Sequence, residues 1–151
     1  MRYALDTSFF LAELALEGEL FAPPSVVEEL ADLRSRGRLE ALLATGLAVR
    51  SPSGESLARV ARAAGETGDA SRLTRADTDL LALALDLAAT VVSDDYAVQN
   101  VALTLGLGVQ GILRKRARPR RWKFRCPGCH RRYPAGGTCP ECGSPLKRTL
   151  K

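Results

Sequence analysis

Four cysteines fall in the last quarter of the chain, as Cys126-Pro-Gly-Cys129 and, after nine residues, Cys139-Pro-Glu-Cys142. Two tight Cys-x-x-Cys turns each deliver two soft ligands, which is what a tetrahedral Zn²⁺ site takes. Gly128 and Gly143 let the backbone turn sharply beside the sulfurs. A disulfide pair would use the same residues. However, the N-terminus has no long apolar stretch ending in a small-residue cleavage site, and a reducing compartment disfavours disulfides. Four thiolates leave no open coordination position, so one zinc with a structural role is expected. It would also drive the folding of the 38 residues from 114 on, which are too few to bury a core of their own. His130, the one histidine, adjoins the first turn and reads as a neighbour rather than a ligand.

A second set of candidate ligands is acidic: Asp6, Glu29, Asp77 and the pair Asp94/Asp95. At about 100° per residue, Asp77 projects among Leu80, Ala84, Leu87 and Ala88, inside the apolar stripe of its helix. Asp79 and Asp86 project to the opposite face. Glu29 lies at the edge of a Val26–Leu30–Leu33 stripe, while Glu28 lies about 180° from it and suits a capping box with Ser25. Carboxylates drawn into one pocket repel, so their shared ionisation requires a divalent cation, and hard oxygen ligands favour Mg²⁺ or Mn²⁺. Residues 1–113 contain neither histidine nor lysine. An imidazole base is thus excluded, and metal-activated water attacking a phosphodiester is the natural chemistry. Plainer roles stand beside this one. Asp6 and Asp94/Asp95 precede helices, where aspartate is a favoured N-cap, and Thr74-Arg-Ala-Asp77 has the form of a capping box.

The elements that must position these groups alternate between short strands and amphipathic helices. Strands are expected at 3–5, 47–49, 90–92 and 109–113. Helices are expected over 8–15, from Ser25 through Leu33, over 53–64, over 75–88 behind the cap Thr74, and over 96–105. Pro23-Pro24 breaks the chain, and 65–69 forms a loop. Such alternation predicts the α/β class, a parallel sheet flanked by helices, with sites beyond the carboxyl ends of the strands. Gly106-Leu-Gly108-Val-Gln-Gly111 spells a dinucleotide-binding pattern, but it follows a helix and enters a strand, the reverse of the required order. These glycines read as a helix stop and turn.

Charge divides the chain more sharply than length does. Residues 1–113 carry nine arginines and sixteen acids, net −7, whereas 114–151 carry thirteen cations and only Glu141, net +12. A basic tail of this kind suits a polyanion, through release of counterions condensed on phosphates. In the stretch Arg114-Lys115-Arg116-Ala-Arg118-Pro-Arg120-Arg121-Trp122-Lys123-Phe124-Arg125, the rings of Trp122 and Phe124 alternate with cations, as in a base-stacking strand. They could equally form the small core of the module that follows. The longest apolar run, 80–85, is far short of the roughly 20 residues of a membrane span. A cytoplasmic protein without a membrane partner is the expectation.

The motifs resemble those of a known family. Tyr3-Ala-Leu-Asp6-Thr7-Ser8, Val27-Glu-Glu29-Leu30, Leu73-Thr-Arg-Ala-Asp77 and Val92-Ser-Asp-Asp95 are similar to the acidic motifs of PIN-domain ribonucleases. Gly68-Asp69 ahead of Leu73-Thr74, the string Asp94-Asp-Tyr-Ala-Val-Gln-Asn-Val-Ala102, and the four-cysteine ribbon resemble the NIN-one-binding endonucleases over essentially the whole chain. The resemblance implies a PIN-like domain at 1–113, a basic linker at 114–125 and a small β zinc ribbon at 126–151. It further implies a Mg²⁺- or Mn²⁺-dependent single-strand endoribonuclease that matures the 3′ end of small-subunit (16S) rRNA on the pre-ribosomal small subunit. The family's metal-binding acids correspond to Asp6, Glu29, Asp77 and Asp94/Asp95. The Ser93-x-Asp95 spacing favours Asp95, with Asp94 retained; Ser93 stands where many relatives have threonine. The ribbon and the segment from Arg114 to Arg125 would bind the RNA. Compactness suggests an archaeal form. Two other readings remain open at this point, a toxin-type PIN ribonuclease and a non-catalytic RNA-binding assembly factor.

Overall fold

In the computed structural model, β1 (Arg2–Leu5) lies at the centre of a five-stranded, all-parallel sheet. It pairs with β2 (Glu19–Ala22) through Ala4 and Phe21, and with β4 (Thr90–Val92) through Ala4 and Val91. β3 (Ala48–Val49) and β5 (Val109–Gln110) extend the sheet to the order β3-β2-β1-β4-β5. Between the strands run α1 (Pro24–Glu29), α2 (Leu33–Thr45), α3 (Gly54–Thr67), α4 (Arg75–Leu87) and α5 (Tyr96–Thr104). Parallel strands joined by helices end along one edge, so residues just past β1 and β4 become neighbours.

Side chains alternate across a strand, and that alternation divides the core. Ala4 and Val91 join one apolar cluster, with Val60 of α3, Leu80, Leu81 and Ala84 of α4, and Val98 and Val101 of α5. Leu5 and Val92 join the other, with Phe9, Phe10, Val26 of α1 and Leu39 of α2. The structure describes residues 1–113, 123–133 and 136–149, in two compact units, Met1–Pro119 and Arg120–Lys151. The second unit holds an antiparallel sheet of β6 (Lys123–Arg125), β7 (Arg132–Tyr133) and β8 (Lys147–Thr149), ordered β7-β6-β8. Among the described residues no helix is long and apolar enough to cross a membrane.

Several local expectations are corrected. The helix expected over 8–15 is a 3-10 turn, Thr7–Leu11. Past it, the Arg38 guanidinium takes the carbonyls of Ala12 and Leu14 and lies 4.6 Å over the Phe9 ring. The helix expected to run through Leu33 stops at Leu30, because the Asp32 carboxylate accepts from Ser35 N at 3.0 Å and starts α2. Leu33 is consequently 91% exposed rather than part of a stripe. Pro24 does not break the chain; it opens α1 at the helix position where its missing N–H costs nothing. Ser25 makes no capping box with Glu28 and instead donates to Asp79 at 2.6 Å, so Asp79 faces α1 rather than open solvent.

Leu80 is fully buried in the larger cluster. Leu80→Ala should destabilise the protein by about 2–5 kcal/mol, the cost of lost transfer energy plus a cavity. Chemical denaturation checks this, and a loss below about 1 kcal/mol would contradict the packing described.

Candidate active site

Asp6 is the first residue past β1 and is only 6% exposed. A buried carboxylate must find donors, and four reach this one. Its Oδ1 accepts from Thr7 N at 2.8 Å and Thr7 Oγ1 at 3.3 Å; its Oδ2 accepts from Ser93 Oγ at 2.7 Å and Ser8 Oγ at 3.3 Å. Ser93, fully buried past β4, also accepts from Asp95 N at 3.1 Å. One hydroxyl thus bridges the ends of two adjacent strands and ties Asp6 to the turn that carries Asp95. The Gln99 side chain donates to the Ser93 carbonyl at 2.6 Å and fixes that turn from α5.

Asp77 and Glu29 approach from the helices. Asp77 occupies the first turn of α4 in a reciprocal capping box, accepting from Thr74 N at 3.0 Å while its own N–H reaches Thr74 Oγ1 at 3.2 Å. Partial burial pushes its carboxyl above the ordinary range, the bond from Thr74 opposes this, and the charges of Asp6 and Asp95 add to it. Glu29 ends α1, which the Ser25–Asp79 bond holds against α4. Glu29 is exposed, and its carboxyl is also raised, first by the solvent its surroundings displace and then by the charges of Asp77 and Asp6. Asp77 thus lies within electrostatic reach of Asp6, Asp95 and Glu29, and Glu29 within reach of Asp6. They are not closed into a cage: among the described residues, the group of ligand atoms lying within 4.8 Å of one another is the four cysteines.

The doubled aspartate separates into two roles. Asp94 spends both oxygens on the chain after β5, accepting from Ile112 N at 2.8 Å and Leu113 N at 3.0 Å. Asp95 caps α5 through Oδ1, which accepts from Ala97 N at 2.8 Å and Val98 N at 3.3 Å. None of these bonds uses Asp95 Oδ2. The capping and clustering readings of the sequence are thus compatible, since the caps are what aim the carboxylates. A cleft of about 550 Å³ opens beside Asp95, lined by Arg72, Asp94, Asp95, Tyr96, Ala97 and Leu113. The bridging role of Ser93 and the presence of Arg72 had no signal in spacing or periodicity.

In the second unit the four sulfurs form a set that could hold a metal ion, with Cys126 to Cys142 at 3.1 Å and Cys129 to Cys139 at 3.6 Å. A Zn–S bond of about 2.3 Å needs sulfurs about 3.8 Å apart, within reach of this set. Gly128 packs closely here, since a Cβ on it would meet Cys142 Sγ at 3.2 Å and Ser144 Oγ at 3.3 Å. His130 points elsewhere, with Nδ1 at 3.2 Å from Arg125 Nη2. Arg125, Pro127, His130, Lys147 and Arg148 line a basic pocket of about 310 Å³. Arg114, Lys115, Arg116, Arg118, Arg120, Arg121 and Trp122 lie outside the described residues, and Lys123 is described through its backbone in β6.

Residues 4–87 match the family model for the PIN domain of ribonuclease. Endoribonuclease Nob1 of Pyrococcus abyssi is 44% identical over 151 residues, covering 97% of this chain and 92% of the relative. Endoribonuclease Nob1 of Methanothermobacter thermautotrophicus is 37% identical, covering 98% and 92%. Ribonuclease VapC1 of Thermoplasma acidophilum is 40% identical, covering 98% and 78%. The non-catalytic reading gives way to an enzyme, an endoribonuclease. Its parallel sheet, its motif order and these alignments agree: the chain belongs to the PIN-domain ribonucleases and, within them, to the family of the archaeal Nob1 endoribonucleases.

Proposed function

We propose that this endoribonuclease binds Mg²⁺ or Mn²⁺ through Asp6, Asp77 and Asp95, with Glu29 completing the set, and cleaves single-stranded precursor small-subunit rRNA at its 3′ end. The observation that carries the reading is the tie of buried Asp6 through Ser93 to the turn that carries Asp95, with Asp77 and Glu29 near enough for their carboxyls to be raised by neighbouring acids. Among the described residues, none of the ion pairs includes Asp6, Glu29, Asp77 or Asp95. These carboxylates would hold the divalent ion, which when bound would supply activation of water and an offset to the charge growing on the phosphate. Ser93 and Thr7 hold Asp6 in one orientation, the capping box does the same for Asp77, and the α5 cap leaves Asp95 Oδ2 available. With no histidine in residues 1–113, proton transfer falls to water and these carboxylates.

The four cysteines bind one structural Zn²⁺ on this reading. The ribbon and the 114–125 linker supply most of the affinity for RNA, and the pre-ribosomal small subunit in the cytoplasm is the site of action. The similarity to Ribonuclease VapC1 favours a second reading, a toxin-type ribonuclease acting on other RNA. Incubation with a small-subunit rRNA 3′-end fragment and Mn²⁺ distinguishes them. A single cut at the mature end supports the first, and indifference to that site supports the second.

Asp6→Asn and Asp77→Asn should each lower Mn²⁺-dependent cleavage by about a hundredfold or more while leaving RNA affinity nearly unchanged. Retained cleavage in both variants removes the proposed metal site. Asp94→Ala should instead lose stability, by about 1 kcal/mol for the bond from the part-buried Ile112 N–H, and keep its response to Mn²⁺.

Glu29 also sets a pH dependence. Its folded-state pKa lies above the unfolded value, so the metal-free protein carries no penalty from it below about 4.5 and the full penalty above the raised value. This contribution to stability is lost as pH rises through that interval. Glu29→Gln should therefore melt no lower than the parent, and slightly higher, at neutral pH without Mg²⁺ or Mn²⁺, with the difference vanishing near pH 4. A difference independent of pH would contradict this.

Stripping the ribbon's metal with a strong chelator should unfold the second unit and weaken RNA binding, with a shallower salt dependence. An unchanged salt slope would refute the role given to the basic part.

A further inference from the structure

The cleft beside Asp95 is built from more than the acids. α3 ends at Gly68 in the left-handed conformation, φ +78°, and the next residue, Asp69, is only 4% exposed. Asn100 of α5 donates to Asp69 Oδ2 at 2.8 Å, Asp69 N reaches Ala64 O at 3.0 Å, and Arg72 N reaches Asp69 O at 2.9 Å. The short turn Ala70–Arg72 is thereby fastened to both α3 and α5, and Arg72 is delivered to the cleft. Six other arginines of this unit are engaged, Arg2 with Glu19, Arg34 with Glu13, Arg75 with Asp79, Arg36 and Arg38 with carbonyls, and Arg50 over Phe21, while Arg59 and Arg62 lie on α3, outside the residues that line the cleft. Arg72 belongs to none of the ion pairs among the described residues, and it is the cation in a cleft that also holds Asp95. Two large side chains share the cleft at high exposure, Tyr96 at 46% and Leu113 at 84%.

A guanidinium matches a phosphate and an exposed ring matches a base face, and about 550 Å³ is within the usual range of small-molecule sites. We propose that this cleft is a nucleotide subsite. Arg72 holds the phosphate next to the scissile one, and Tyr96 with Leu113 packs against the base of that nucleotide. The inference rests on the nuclease reading above, because Asp95 is what relates the cleft to the reacting phosphate.

The test is binding of a single-stranded oligoribonucleotide of about ten residues to the full chain, over a KCl series without added Mg²⁺ or Mn²⁺. Arg72→Ala should bind about five- to tenfold more weakly and lose about 0.7 from the slope of log affinity against log salt, the share of one phosphate on a single strand. Arg72→Lys should restore the slope. Tyr96→Ala should weaken binding about tenfold with the slope unchanged, and Tyr96→Phe should bind like the parent. Parental affinity and slope in Arg72→Ala, with the parent still cleaving when Mn²⁺ is added, overturns the subsite alone. Parent protein that shows the Arg72 and Tyr96 dependences yet forms no product with Mn²⁺ overturns the metal role of the acids and supports the subsite.

Discussion

The burial of Asp6 between the ends of β1 and β4 is what the surrounding structure must accommodate, because a carboxylate removed from water is tolerated only with donors or a cation. Its donors come from three residues in two distant stretches, Thr7 and Ser8 on one side and Ser93 on the other. Ser93 in turn is itself held, by Asp95 N at its hydroxyl and Gln99 at its carbonyl. A change at any of these would move an acid relative to its neighbours without removing a charge. The strand pairing of β1 with β4 is thus as much a part of the site as the carboxylates are.

Capping is the device by which this fold keeps like charges together. Asp77 and Asp95 each engage backbone N–H groups at the start of a helix, where the macrodipole favours negative charge. That local gain opposes the mutual repulsion which, with burial, pushes the Asp77 carboxyl upward. A free carboxylate could turn away from its neighbours; a capping one loses its hydrogen bonds if it does. Asp94 follows the same logic to another end, since its two bonds to Ile112 and Leu113 are spent on closing the sheet edge.

What the sequence makes legible is whatever is encoded within a few residues. Thr90–Val92 reads as a strand from its β-branched run, and Thr74 with Asp77 reads as a helix start from its spacing, and both form. β2 escapes notice because Glu19–Ala22 is four residues with no alternation strong enough to register. α2 escapes because only Ser35 and Leu39 of its thirteen residues are buried, leaving no apolar stripe. The helical wheel sent Asp79 outward, yet a helix packed on both the sheet and α1 has two inward directions, and Ser25 waits on the second. Asn100 meets the Asp69–Arg72 turn only in three dimensions, 31 residues from its partner Asp69. No periodicity could announce that. The acids, in contrast, were visible as candidates because strand ends in a parallel sheet are where such groups gather.

The opposite charges of the two parts bear on how the proposed function would proceed. Residues 1–113 are net −7 and 114–151 net +12, and in cell-like salt such fields decay over about 8 Å. RNA would therefore be attracted first by the basic part, while the carboxylate edge repels it at close range. A divalent ion changes that sign locally, and linkage makes the effect mutual: whatever the ion adds to RNA affinity near Asp95, bound RNA adds to the ion's affinity. Under the proposed reading, weak ion affinity in the free protein is then compatible with full occupancy on the substrate.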